Sequence, residues 1–223
     1  MKKLIALSTV ISLSATAFTP SKKAFPEAKK ASADSLDQLR EKQSRLNSFI
    51  GMYPPQINDK SHEQELYSEW SQIYSDLLNL TKESSNSEDS LALFADLYRQ
   101  GHNLHIEGAG IKSVETLEKC LKSFPESYGC HKVGIYLYLQ IHPKYADRAK
   151  KSLDFLKKHY APKLDEDIEA GYIFYYLFTK NNLKALEASK SFLKNFPDSG
   201  RSKQISMLLS ALQNSKAGVA TSD

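Results

Sequence analysis

Residues 134–141, GIYLYLQI, and residues 171–178, GYIFYYLF, are two apolar, aromatic stretches that open two nearly repeated passages of the chain. An offset of 37 residues carries Gly134 onto Gly171 and Tyr138 onto Tyr175, and it carries Ser152, Phe155, Leu156 and Lys157 onto Ser189, Phe192, Leu193 and Lys194. Self-similarity with a period of this size marks an array of small structural units. In each copy the aromatic stretch meets a breaker, His142-Pro143 or Asn181-Asn182, and a Lys-rich amphipathic stretch follows. Two antiparallel helices per unit is the reading. One such hairpin cannot cover its own apolar faces, so neighbouring hairpins must stack on it.

Working outward, Leu91, Phe94, Ala95 and Tyr98 predict a short helix stopped at Gly101, and Val114, Leu117, Cys120 and Leu121 predict its partner beyond a long turn, Gly101 to Gly110. Phe124-Pro125, Ala161-Pro162 and Phe196-Pro197 close three successive units, since a proline just past a helix end cannot continue it. Before these units, Leu36, Leu39, Leu46, Phe49 and Ile50 recur at helical spacing until Gly51 and Pro54-Pro55. A second helix is expected to open at the capping box Ser61-His62-Glu63-Gln64 and to carry the stripe Leu66, Tyr67, Trp70, Ile73, Tyr74, Leu77 and Leu78. After Pro197, Ile205, Leu208, Leu209 and Leu212 form one face of a final helix, with Arg201, Lys203, Gln204 and Ser210 on a solvating face. The predicted fold is all-α: an N-terminal helical hairpin over 34–83, about three hairpins and a cap over 84–214, and a disordered tail over 215–223.

The start of the chain has the grammar of an export signal. Lys2 and Lys3 precede a short apolar run, Leu4 to Leu13, and Ala15-Thr16-Ala17 offers a small-x-small cleavage site. The run is too short and too rich in Ser and Thr to span a bilayer. A mature chain beginning near Phe18 then keeps about 206 residues and no transmembrane segment, and is periplasmic or secreted. Removing Lys2 and Lys3 leaves 28 basic against 26 acidic residues, a balance that argues against nucleic-acid binding. Residues 18–33, with Lys22, Lys23, Lys29 and Lys30 among Ala, Ser and Pro, read as a flexible basic linker.

Cys120 and Cys130 flank the corner between two predicted helices at near-symmetric positions. In an exported chain they are expected to bond, with two buried free thiols as the alternative. His102, His105 and Glu107 lie close together in the long turn, but zinc wants three or four converging ligands and a structured turn explains them better, so no metal and no cofactor is expected. Asp165, Glu166, Asp167 and Glu169 suit the start of a helix. The chain has no G-x-S-x-G, H-E-x-x-H or phosphate-binding glycine loop, which weakens an enzymatic reading.

Paired helices of this period, a small residue where they cross (Gly134, Gly171) and a closing proline resemble the tetratricopeptide repeat family over roughly residues 88–214. The resemblance implies a superhelix whose concave surface, lined by the first helix of each hairpin, binds a peptide or another protein, usually without catalysis. It implies a groove wall of Tyr98 and Arg99 from the first unit, Tyr128, His131, Ile135 and Tyr138 from the second, and Tyr172, Tyr175 and Tyr176 from the third. The expected function is that of a scaffold or adaptor with a protein or peptide partner in the bacterial envelope. The alternative is an envelope enzyme, or a cell-wall or polysaccharide assembly subunit, using the His102–Glu107 turn.

Overall fold

The computed structural model describes residues 21–27, 34–81, 86–160 and 165–220, with the backbone alone for 215–220. The predicted signal, residues 1–17, lies outside the described residues. Among those described the chain is all helical apart from one isolated β-bridge. The helices are α1 (Leu36–Ile50), α2 (Lys60–Leu80), α3 (Glu88–Asn103), α4 (Ala109–Ser123), α5 (Tyr128–Ile141), α6 (Ala146–Tyr160), α7 (Glu166–Phe178), α8 (Asn182–Asn195) and α9 (Ser202–Ala220), with a 3₁₀ turn at Pro143–Tyr145. No helix is long and apolar enough to cross a membrane, among the described residues.

Polar residues start most of these helices by accepting from orphan amides. Ser35 and Gln38 form a reciprocal capping box on α1. Ser87, Ser127, Asp165 and Asn181 cap α3, α5, α7 and α8. The α2 start differs from the expected box at Ser61: Asp59 is the cap, its carboxylate accepting from the His62 amide at 2.9 Å. Helix α3 runs past the expected stop at Gly101 to Asn103, so the long turn shrinks to residues 104–108. Gly101 serves space instead of conformation, since a Cβ there would lie 2.8 Å from the Trp70 ring. The left-handed residues of the turn are His105 (φ 60°) and Gly108 (φ 75°).

Helices pair as α1/α2, α3/α4, α5/α6 and α7/α8, and α9 packs on α8. The first helices touch in succession, α1 on α3, α3 on α5, α5 on α7, and each second helix touches the first helix of the following hairpin. One core gathers on fully buried Trp70 with Leu39, Ile73, Leu77 and Leu97. Further clusters form around Leu117 and Leu137, around Ile135 and Leu156, and around Ile173 and Phe192. Cys120 and Cys130 are bonded, with Cα atoms 6.1 Å apart, and fasten α4 to α5.

Three expectations about the ends change. Residues 21–27, read as part of a linker, are docked: the Lys23 amide donates to the His105 carbonyl at 3.1 Å, and the Glu107 amide donates to the Lys23 carbonyl at 2.8 Å. The lone apolar ring of the segment, Phe25, lies 5.7 Å from Tyr74 and 6.1 Å from Trp70, centroid to centroid. The tail is helical through Ala220 instead of unstructured from 215. Finally, Arg201 turns back onto the α7 start instead of facing solvent.

Candidate partner-binding surface

The nine residues expected on the groove wall do not form one wall. Ile135 is fully buried, and Tyr138, Arg99 and Tyr172 are 2%, 3% and 8% exposed. Ile135 packs under Gly171, where a Cβ would come within 2.7 Å of its Cγ2. Burial pushes the Tyr138 hydroxyl up to about 12. The Tyr172 hydroxyl donates to Asp154 at 2.7 Å while Lys150 and Lys157 flank its ring. Burial first, and then the Asp154 carboxylate, hold this phenol far above its ordinary range. Tyr98 is half-buried among Phe25, Tyr74 and Phe94. Tyr128 donates to Asp165 at 2.7 Å and meets the Tyr160 ring edge-on. His131 stacks on Phe155 at 3.9 Å, its Nε2 2.9 Å from the Pro125 carbonyl and its Nδ1 3.2 Å from Ser152 Oγ. Tyr175 and Tyr176 are half-buried and edge-on to each other. First helices with neighbours on several sides put most aromatic positions into packing, which is the physical reason for the correction.

The face that the first helices do share is more polar. At its α1 end Arg99 Nε donates to Asp96 at 2.7 Å and Nη2 to Asn47 at 2.8 Å, and Nη1 donates to the Gly51 carbonyl. Asn103 donates to the Ile50 carbonyl at 2.9 Å and Gln140 to that of Gly51 at 3.1 Å. The last carbonyls of α1, which no intrahelical partner can satisfy, are therefore met by side chains of α3 and α5. Arg99, expected to hold a partner, is committed to this internal knot.

Farther along, Lys132 of α5 and Arg201, just ahead of α9, converge on Asp167 of α7 at 2.5 and 2.6 Å. Burial alone would raise the Asp167 carboxyl, but the two cations hold it below the usual range. Between them Tyr136 donates to the Asp167 carbonyl at 3.2 Å, with the Arg201 guanidinium 6.0 Å from its ring and Phe174 beside it. Lys132 and Arg201 keep 42% and 35% of their side chains exposed. They leave cationic donors beside half-buried aromatic rings, an arrangement able to take a carboxylate or carbonyl together with an apolar side chain. Lys132, Tyr136 and Gln140 recur every four residues on α5, and that stripe was the signal in the sequence. The family register selected Ile135 and Tyr138 instead. Nothing local pointed to Arg201, because its contact is made across the fold.

The His102–Glu107 turn is built into the structure. His102 is half-buried against Gly110, and burial pushes its imidazole pKa down. The backbone of His105 and Glu107 pairs with Lys23. No group of three or more His, Cys, Asp or Glu side chains is placed to share an ion among the described residues. No protein family, no curated protein and no solved structure matches this chain.

Proposed function

We propose that the chain is an exported, tetratricopeptide-like α-solenoid serving as a scaffold or adaptor in the bacterial envelope, where it captures a peptide or protein on the face common to α3, α5 and α7. The unbroken succession of touching first helices supports the solenoid reading, because that contact pattern creates one continuous face from several hairpins. The observation that carries the binding reading is the partly exposed pair Lys132 and Arg201 flanking Tyr136 on that face. Arginine and tyrosine side by side are the residue types that dominate protein interfaces. Export rests on the charged and apolar start of the chain and on a bonded cysteine pair, which persists in oxidising compartments.

A photo-cross-linking residue at position 132 tests the reading, with one at position 111, whose isoleucine is 67% exposed on α4, as reference. Position 132 is expected to trap a defined envelope protein, and position 111 is not. Equal trapping at both, or none at 132, overturns the assignment of the face.

A further inference from the structure

Independently of that face, residues 21–27 meet the helices as a bound peptide would. The segment SKKAFPE approaches on the side of α2, α3 and α4 and makes three kinds of contact. The Lys23 backbone pairs in parallel with the backbone of the 105–107 turn through the two hydrogen bonds described above. Phe25 lies among the rings of Trp70, Tyr74 and Tyr98, with the Lys112 ammonium 4.1 Å from its centroid. Glu63 on α2, only 2% exposed, accepts from the Ser21 amide at 2.8 Å and from Ser21 Oγ at 3.2 Å, and pairs with the Lys23 ammonium. The Tyr67 hydroxyl adds a bond to the Ala24 carbonyl at 3.2 Å.

Main-chain pairing for affinity and side-chain pockets for selectivity is the logic of strand-type peptide recognition. The Glu63 carboxylate is a separate argument for a ligand. It sits on the helix that carries Trp70 and Tyr74, and the Ser21 amide, the Ser21 hydroxyl and the Lys23 ammonium that meet it all come from the segment, so a departing segment takes this cation and these donors from the carboxylate. A carboxylate next to an aromatic recess selects for a basic residue two positions before an aromatic one, as in Lys23-Ala24-Phe25.

We propose that Glu63, the Trp70–Tyr74–Tyr98 recess and the edge of the 105–107 turn form a second peptide-binding site, specific for extended basic-x-aromatic segments, which the chain fills with its own residues 21–27. Six residues, 28–33, join the segment to Asp34. A connection of that length gives an internal ligand an effective concentration on the order of millimolar, so a free peptide below that concentration competes only after the internal one is weakened.

The test uses the full chain with Lys23→Ala and Phe25→Ala and a synthetic peptide of residues 21–27. Trp70 is the single tryptophan, so its emission reports the recess. The double variant is expected to bind the peptide at least about tenfold more tightly than the unaltered chain, with a change in Trp70 emission. Adding Glu63→Gln to the variant, or replacing the lysine or phenylalanine of the peptide by alanine, abolishes that binding. A variant that keeps its helical circular dichroism yet does not bind overturns the proposal. Should the variant lose helicity, hydrogen exchange on the unaltered chain decides: millimolar peptide speeds exchange at the Lys23 amide, and unchanged exchange overturns the site.

Discussion

Hairpins α5/α6 and α7/α8 share Gly, Tyr and a Ser-x-x-Phe-Leu-Lys string at a 37-residue offset, yet these matching residues have different neighbours. A Cβ on Gly134 would meet Ser152 of its own hairpin at 2.8 Å, whereas one on Gly171 would meet Ile135 and Leu153 of the preceding hairpin at 2.7 Å. The second helices are rolled relative to each other. In α6 the buried face is Ala149, Ser152, Leu153 and Leu156, with Phe155 half-buried; in α8 it is Ala185, Ser189 and Phe192, with Leu193 half-buried. One difference goes with the roll: buried Leu153 corresponds to exposed Lys190, whose ammonium cannot take the leucine's place inside. The α8 helix turns Phe192 inward, onto Ile173 and Ile205. The repeated letters specify the hairpin, and the unrepeated ones set its rotation.

The matched phenylalanines, Phe155 and Phe192, should differ most. Phe192→Ala is expected to lower unfolding free energy by about 4 kcal/mol in a denaturant titration, and Phe155→Ala by about 1 kcal/mol. Equal losses would contradict the roll. Next in size is the corner before each hairpin. Reducing the Cys120–Cys130 bond, which closes a loop of separation 10, is expected to cost about 3 kcal/mol. The corner before α7 has in its place the Lys157–Glu169 ion pair at 3.5 Å, and Lys157→Ala there should cost below about 1 kcal/mol. The smallest effect is a pH dependence confined to the first copy. Burial depresses the His131 pKa below 6.5, so the unfolded chain takes up the proton first. Stability is full above that pH and declines as pH falls below it toward the folded value. His131→Gln should flatten the melting temperature between pH 7.5 and 5, and the matching position, Ile168, has nothing to titrate. His102 shifts in the same direction, so the difference between variant and parent is the diagnostic.

The all-helical hairpins, the Trp70 stripe and the Cys120–Cys130 bond were legible because each depends on spacing along one or two adjacent helices. The surface was not. Whether Tyr138 or Tyr136 faces inward depends on where α3 and α7 stand beside α5, and no periodicity within α5 records that. Residues 21–27 have the Ala, Ser, Pro and Lys content of a linker, and a single phenylalanine reverses the reading once a recess exists to receive it. Arg201 was legible as a charge on a capping helix, but its acceptors, Glu166 and Asp167, lie more than thirty positions earlier.

The knot at the end of α1 has a mechanical consequence. Lifting the first hairpin away would remove the Gly51, Asn47 and Ile50 acceptors from Arg99, Asn103 and Gln140, leaving Arg99 its Asp96 carboxylate and Asn103 the Gln140 carbonyl. The first hairpin is thus laced to the second and third at its amino-terminal end.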